Sequence, residues 1–369
     1  MVQRNYWPTE TWQYATPQQV DMDASMLEQI YGYTSTCIPH IHSLLIVRHG
    51  YLVFEEYYHG FQQQSYLSIS SATKSIISAL VGMALSLPLP ASNSLPLPAS
   101  NAQSFITSLD QHVLDFFPEY ASNETDPRKQ ALTLRHLLSL TGGFSHEFPE
   151  NYHLDPVRLA LARPMLHWPG QQFYYDSQGV DILSGILTRA TGRNAATFAY
   201  ETLFKTLGIW QEDTARFAWK TDPAGANIWH EHAYFDEKDG FLWKIDPQGN
   251  NPGGFGIHLT AREMAKIGYL YLNNGLWDGK QVIPADYVAE STRQHSEGGP
   301  PVNLPYGYLW WITQHGSHAA FFASGYGGKC IYVIPSLDLV FVSTGSSTQG
   351  PQSHFQEILE RFILPAIMQ

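Results

Sequence analysis

The stretch SISSATKSIISAL, residues 68–80, carries a serine at position 71 and a lysine three places later at position 74. A serine hydroxyl is a weak nucleophile near neutral pH and needs a base within hydrogen-bond reach. A lysine amine can be that base when burial and nearby cations disfavour its ammonium form. Residues three apart share a helix face, so the Lys74 amine is expected over the first turn, beside Ser71. A helix start also offers free N–H groups and partial positive charge to a developing oxyanion. Ala72 and Thr73 are too small to block access, and Ile76, Ile77, Leu80 and Val81 would anchor the helix in a core. Ser-x-x-Lys is short enough to arise by chance, and a surface helix start with one solvated lysine accounts for it too. Lys74 is the only lysine in the chain with a serine three places before it.

Two further stretches offer chemistry that fits this pair. In WPGQQFYYDSQGVDILSGILTRATG, residues 168–192, Tyr175 precedes a helical pattern. A phenol there can relay a proton between a lysine and a serine or a leaving group; an ordinary half-buried tyrosine is the plain alternative. In FFASGYGGKCIYVIP, residues 321–335, glycines 325, 327 and 328 stand at the head of a strand. Glycines there let a substrate lie close to a strand edge, whose N–H can complete an oxyanion hole. A plain glycine-rich loop reads the same way.

Elements able to position these groups follow from the patterning. DMDASMLEQIYGY (21–33) reads as a helix, and HSLLIVRHGYLVFEEYYHG (42–60) as a hairpin turning at Arg48-His49-Gly50. From the Ser71 stretch to about residue 250 the pattern is mainly helical, as in TLRHLLSLTGG (133–143) and GVDILSGILTRATGR (179–193), each closed by glycine. A helix over 259–275 has Thr260 as N-cap and Glu263 completing a capping box. Strands return at 306–312, 329–335 and 337–345, and a helix over 353–368 closes the chain, with Ser353 and Gln356 as its capping box. Terminal segments of like character build one sheet, so residues 1–68 and 251–369 are expected to form an α/β sheet lobe. Residues 69–250 then form a mainly α-helical lobe, with the Ser71 helix at the interface and the cleft between lobes as the ligand site.

The totals narrow the function classes. The 369 residues are 44% hydrophobic and 15% charged, enough for a large core. A net charge of −12 without basic runs argues against nucleic acid as a partner. No stretch reaches the roughly 18 apolar residues of a membrane span. The opening MVQRNYWPTETWQYATPQQVD has no apolar core of a signal peptide. The expected compartment is therefore the cytoplasm, with export the alternative if a signal has been trimmed. Cys37 and Cys330 read as two buried or half-buried thiols. SLPLPASN at 86–93 repeats unchanged at 94–101, too short for a solenoid and rich in proline, which reads as an inserted solvated loop. His230 and His232 lack metal-site spacing, no Gly-x-Ser-x-Gly elbow occurs, and GGFGIHLTA does not sit in a βαβ setting. Neither a metal nor another cofactor is expected. Glu147 and His153 sit on a probable cleft-edge loop, where substrate contact is plausible without a defined role.

The ordered set of segments resembles the serine β-lactamase-related family, which holds class C β-lactamases, D,D-peptidases, esterases and 6-aminohexanoate-oligomer hydrolases. SLLIVRHGYLVFEEYYHG is similar to its first hairpin, SATK to its nucleophile motif, and LTLRHLLSLTGGF to a signature between the first two catalytic motifs. PGQQFYYDSQG resembles the segment with the Tyr-x-Asn motif, and GGFGIHLTAREMAKIGYLYLNNGLWDGKQVIP and YGYLWW resemble later signatures. The resemblance implies an α+β, β-lactamase/transpeptidase-like fold: an antiparallel sheet flanked by helices, with an inserted all-α lobe. It implies Ser71 as the acylated nucleophile, Lys74 as general base and Tyr175 as proton-transfer partner. The backbone N–H groups of Ser71 and Tyr326 would form the oxyanion hole, and Ser177, Ser324 and Gly325 would line the substrate site. Two departures bear on substrate. Ser177 stands where the family often has asparagine. Ala323-Ser324-Gly325 replaces Lys-Thr-Gly or His-x-Gly, removing the cation that grips a substrate carboxylate, for which Lys329 is the nearby substitute. The expected function is a serine hydrolase of an ester, amide or short peptide-like small molecule. The alternatives are a β-lactamase or D,D-peptidase, or a penicillin-binding-like sensor that acylates without turnover.

Overall fold

The computed structural model describes residues 4–87, 105–209, 240–347 and 354–367. All but the first two residues of the duplicated SLPLPASN stretch, together with His230, His232 and Ser353, lie outside the described residues.

The chain enters through helix α1, Ala24–Cys37, whose N-cap Asp23 accepts from Ser25 N. Strands β1 (Ile41–Arg48) and β2 (Tyr51–Tyr57) form the expected hairpin. His49 and Gly50 both take positive φ, as a two-residue turn between twisted strands requires. A short strand β3 (Leu67–Ser68) leads into a single turn, Ser70–Ala72, and then helix α2, Thr73–Leu85. β3 pairs with β5 (Ile257–Leu259), which also pairs with β4 (Leu242–Trp243), so one strand of this small sheet, β4, stands inside the region the sequence reads as mainly helical. A minor hairpin joins β6 (Leu276–Trp277) and β7 (Lys280–Gln281).

The remaining strands are β8 (Ser296–Gly299), β9 (Leu304–Tyr306), β10 (Trp311–His315), β11 (His318–Gly325), β12 (Lys329–Ile334) and β13 (Leu339–Gly345). With the first hairpin they make one eight-stranded sheet in the order β2-β1-β13-β12-β11-β10-β9-β8. Its recorded pairings are antiparallel. The first and last parts of the chain meet where β1, one strand in from the β2 edge, runs beside β13. The Ala261–Leu272 helix, capped as expected by Thr260 and Glu263, packs on one face over β1, β12 and β13. The C-terminal helix packs on the other face, where Phe355 meets Phe322 and Tyr332 edge-on or tilted. Its Phe355, Ile358, Leu359 and Phe362 are all buried.

Three local expectations need correction. The single strand read over 306–312 is two, because Gly307–Trp310 leaves the sheet and Leu309 takes positive φ. The Leu309 carbonyl there accepts from Ser75 of α2, so tertiary contact overrides an apolar run that looks continuous in sequence. The helix read over 133–143 stops at Leu138; Leu140 already has positive φ, before the glycine pair is reached. Cys37 is exposed at the end of α1, and only Cys330 is buried.

Candidate active site

The nucleophile turn is built between three elements. Ile69 N donates to Ile257 O of β5 at 2.9 Å. Ser70, immediately before Ser71, holds φ of 49°, a left-handed conformation that costs a non-glycine residue about 1–2 kcal/mol. Such strain persists only where surrounding structure imposes it. On the other side, Gly325 at the end of β11 lies against Ile69; a Cβ there would sit 2.2 Å from Ile69 O. The strand edge therefore comes alongside the serine turn because residue 325 has no side chain.

Ser71 is half-buried, with α2 continuing directly behind it. Lys74 is 1% exposed. Its Nζ lies 3.1 Å from Ser71 Oγ and donates to Gly254 O at 2.8 Å. The same amine stands 4.8 Å from the centre of the Tyr175 ring. The structure thus brings Ser71, Lys74 and Tyr175 to one place, although 104 positions separate the first residue from the last. Tyr175 stacks on Trp311 of β10, with ring centres 5.9 Å apart and planes within 10°. Tyr306 meets the same Trp311 edge-on at 4.6 Å.

The segment carrying Tyr175 is moored by a buried ion pair. Arg163 grips Asp176 with two bonds of 3.1 and 2.7 Å and also donates to Ser145 O. Asp176 in turn caps the Ser177–Thr191 helix by accepting from Gln178 N. Ser177 is the first residue of that helix and packs on Gly254, where a Cβ would lie 2.9 Å from Ser177 Cβ. Any side chain larger than hydrogen at 254 would push against Ser177. Gly254 is the group sequence reading missed. Its only signal was a glycine pair, Gly253-Gly254, in a stretch read as a poor dinucleotide fingerprint.

The remaining candidates fall into place at different distances from this centre. Ser324 pairs with Cys330 across the ladder; its hydroxyl is buried without a hydrogen-bond partner among the described residues. Tyr326 is half-buried in the turn from β11 to β12. That turn is tied from behind at three consecutive carbonyls. Lys329 Nζ donates to Tyr326 O, Ser347 N to Gly327 O, and Ser343 Oγ to Gly328 O, at 2.9, 3.2 and 2.7 Å. Lys329 also donates to Gly345 O at 2.7 Å and is buried, its amine turned to the backbone behind the turn. Burial pushes its amine down to about 7. Glu147 is exposed, and its carbonyl accepts from Gln178 at 3.2 Å. His153 is partly buried beside Tyr152 on a short turn. Among the described residues no cluster of histidine, cysteine or carboxylate side chains is arranged to hold a metal, and no helix is long and apolar enough to cross a membrane.

A serine on a strained turn, a buried amine and a tyrosine between helices and an antiparallel sheet are the arrangement expected of the β-lactamase class of fold. The Beta-lactamase family model matches residues 42–363, and the chain belongs to that family. An uncharacterized protein of Alkalihalophilus pseudofirmus is 22% identical over 334 residues, covering 84% of this chain and 85% of its own. Among solved structures, a Bacillus anthracis protein provisionally named a 6-aminohexanoate-dimer hydrolase superposes with a TM-score of 0.68 at 17% identity, covering 97% of this chain and 88% of that one. A family VIII carboxylesterase gives 0.65 at 16% identity, covering 93% and 96%. The octameric penicillin-binding protein homologue of Pyrococcus abyssi gives 0.63 at 17% identity, covering 92% and 77%. At these identities the likeness is one of fold.

Proposed function

We propose that the protein is a serine hydrolase that opens an ester or amide bond through an acyl-enzyme on Ser71. The observation that carries this reading is the buried Lys74 amine 3.1 Å from the Ser71 hydroxyl, held there by the Gly254 carbonyl. In the proposed cycle Lys74 takes the Ser71 proton as Oγ attacks the substrate carbonyl. Tyr175, whose ring flanks that amine, passes a proton to the leaving group. The Ser71 and Tyr326 N–H groups hold the oxyanion, a kind of contact commonly worth about 10²–10³ in rate. Lys74 sheds the first proton through Tyr175; water then attacks the acyl carbonyl, and a proton from that water returns to Ser71 Oγ as the acid departs.

The reading favours substrates that do not depend on a cation at the third motif to hold a carboxylate. Ala323, Ser324 and Gly325 supply no cation, and Lys329 is committed to two backbone carbonyls behind the turn. A β-lactam or peptide carboxylate would find no charged partner from either source. Esters and simple amides, the chemistry named for the carboxylesterase and 6-aminohexanoate relatives, fit better than penicillins.

The test is a hydrolysis screen of p-nitrophenyl esters, aminohexanoate dimer and nitrocefin. Steady turnover of at least one ester or amide, exceeding that of nitrocefin, is expected. A p-nitrophenol burst of one equivalent followed by a flat line would replace the hydrolase with an acylated sensor. Preferred nitrocefin turnover would overturn the substrate assignment.

A further inference from the structure

Asp181 lies one turn along the helix from Ser177, is 3% exposed, and has no place in the proposed cycle. It accepts from Tyr152 Oη at 2.6 Å, from Gly253 N at 2.7 Å and from Gly254 N at 3.3 Å. Gly254 is thus held from both sides. Its N–H faces the carboxylate of Asp181, and its carbonyl accepts from the Lys74 amine. The loop around it has little freedom. Ser184 Oγ donates to Asn251 O, and Trp243 Nε1 to Pro252 O, at 2.5 and 3.0 Å. Gly253 lies so close to the helix that a Cβ would stand 2.3 Å from Val180 O.

We infer that Asp181 is the positioning residue and buried counter-charge of Lys74, acting through the backbone of Gly254, whose N–H it holds and whose carbonyl holds the amine. The inference rests on the reading of Ser71 and Lys74 as nucleophile and base. A carboxylate only accepts hydrogen bonds, so it suits a site with three converging donors. The Gly254 N–H and carbonyl lie in adjacent peptide units, so Asp181 acts by fixing the Gly254 backbone and with it the direction of the carbonyl toward Lys74. The charged and titratable groups that bear on Asp181 are Lys74 from α2, Tyr152 from its short turn, and, behind Tyr152, the Arg163–Asp176 pair. Burial pushes the Asp181 carboxyl up to about 6, against the pull of Tyr152, the two amides and Lys74. Burial together with the Asp181 carboxylate holds the Tyr152 hydroxyl well above its usual range, so it remains a donor. When Asp181 takes a proton, one oxygen becomes a donor facing donors, and the grip on Gly254 loosens.

The experiment follows the ¹³Cε signal of Lys74 through a pH titration of the whole protein, assigned by its loss in Lys74→Arg. In the unsubstituted protein that signal is expected to inflect near pH 6, reporting Asp181, which requires no variant to fold. Asp181→Asn keeps the shape and removes the charge; the inflection should vanish. Tyr152→Phe removes one donor and keeps the charge; the inflection should move to higher pH. In turnover, Asp181→Asn should lower kcat about tenfold with KM within twofold, because it alters the base and not the substrate pocket. No inflection, one that survives Asp181→Asn, or one unmoved by Tyr152→Phe would overturn the inference. Fluorophosphonate labelling of Ser71 in the same samples reports the hydrolase reading separately. Its failure would leave the coupling between Asp181 and Lys74 standing.

Discussion

At the scale of residues, the site concentrates groups that a stability argument would remove. A buried amine whose direct hydrogen-bond partners are neutral, with its counter-charge one backbone residue away, and a buried carboxylate are both costly when charged. Lys74→Met should therefore leave thermal stability equal or higher while turnover falls at least a thousandfold; a melting curve and an ester assay on the same sample check both. The sign for Asp181 follows from its raised value of about 6. Between roughly pH 4 and 6 the folded chain holds a proton that the unfolded chain has released, so stability falls as pH rises through that window. Above pH 6 the whole penalty is present. Asp181→Asn removes it, so the variant should melt higher than the unsubstituted protein at pH 7.5, with the gap narrowing toward pH 4.5. A variant that melts lower at pH 7.5 would mean its three hydrogen bonds outweigh the charge. Type and spacing made Ser71 and Lys74 candidates, and the neighbouring segments set them apart from a chance Ser-x-x-Lys. Gly254 and Asp181 were not, because a carbonyl has no signature in side-chain identity and a lone aspartate inside an apolar helix pattern looks like any polar interruption.

At the scale of elements, each catalytic candidate is held by a neighbour far away in sequence. The Arg163–Asp176 pair fixes the start of the Ser177–Thr191 helix and with it Tyr175 and Ser177. Arg163→Leu leaves a buried carboxylate without its partner, a loss that commonly costs about 3–5 kcal/mol. It should lower the urea midpoint and reduce kcat in any folded fraction. Gly325→Ala forces a methyl against Ile69 O and should part β11 from the serine turn, cutting kcat at least tenfold; unchanged kinetics would show that the strand edge is not part of the site. Where pattern and local chemistry agree, the sequence reading holds: Thr260 and Glu263 cap their helix reciprocally, and His49-Gly50 turns the first hairpin. It fails where a distant contact decides. Ser75 draws Leu309 out of line, so an apolar run that reads as one strand becomes two. The β4–β5–β3 group is likewise hard to read, because two- and three-residue strands are too short to show alternation.

At the scale of the whole molecule, the topology explains why the site stands where it does. β1 and β13 join the two ends of the chain side by side in one sheet, while β11 and β10 carry Gly325 and Trp311 to the flank where α2 arrives. The nucleophile, the tyrosine and the strand edge come from three separate stretches, so no one of them identifies the site alone. Their order along the chain made the family legible, and the family made the sheet legible. Register could not be read this way, since it depends on which side chains face the Ala261–Leu272 helix and which face Phe355. The most direct measurement of the central claim is mass mapping of the protein after reaction with a fluorophosphonate. One adduct on the peptide containing Ser71 is predicted, slowed at least a hundredfold in Lys74→Met and absent in Ser71→Ala. An adduct on another residue, or full labelling of Ser71→Ala, would contradict it.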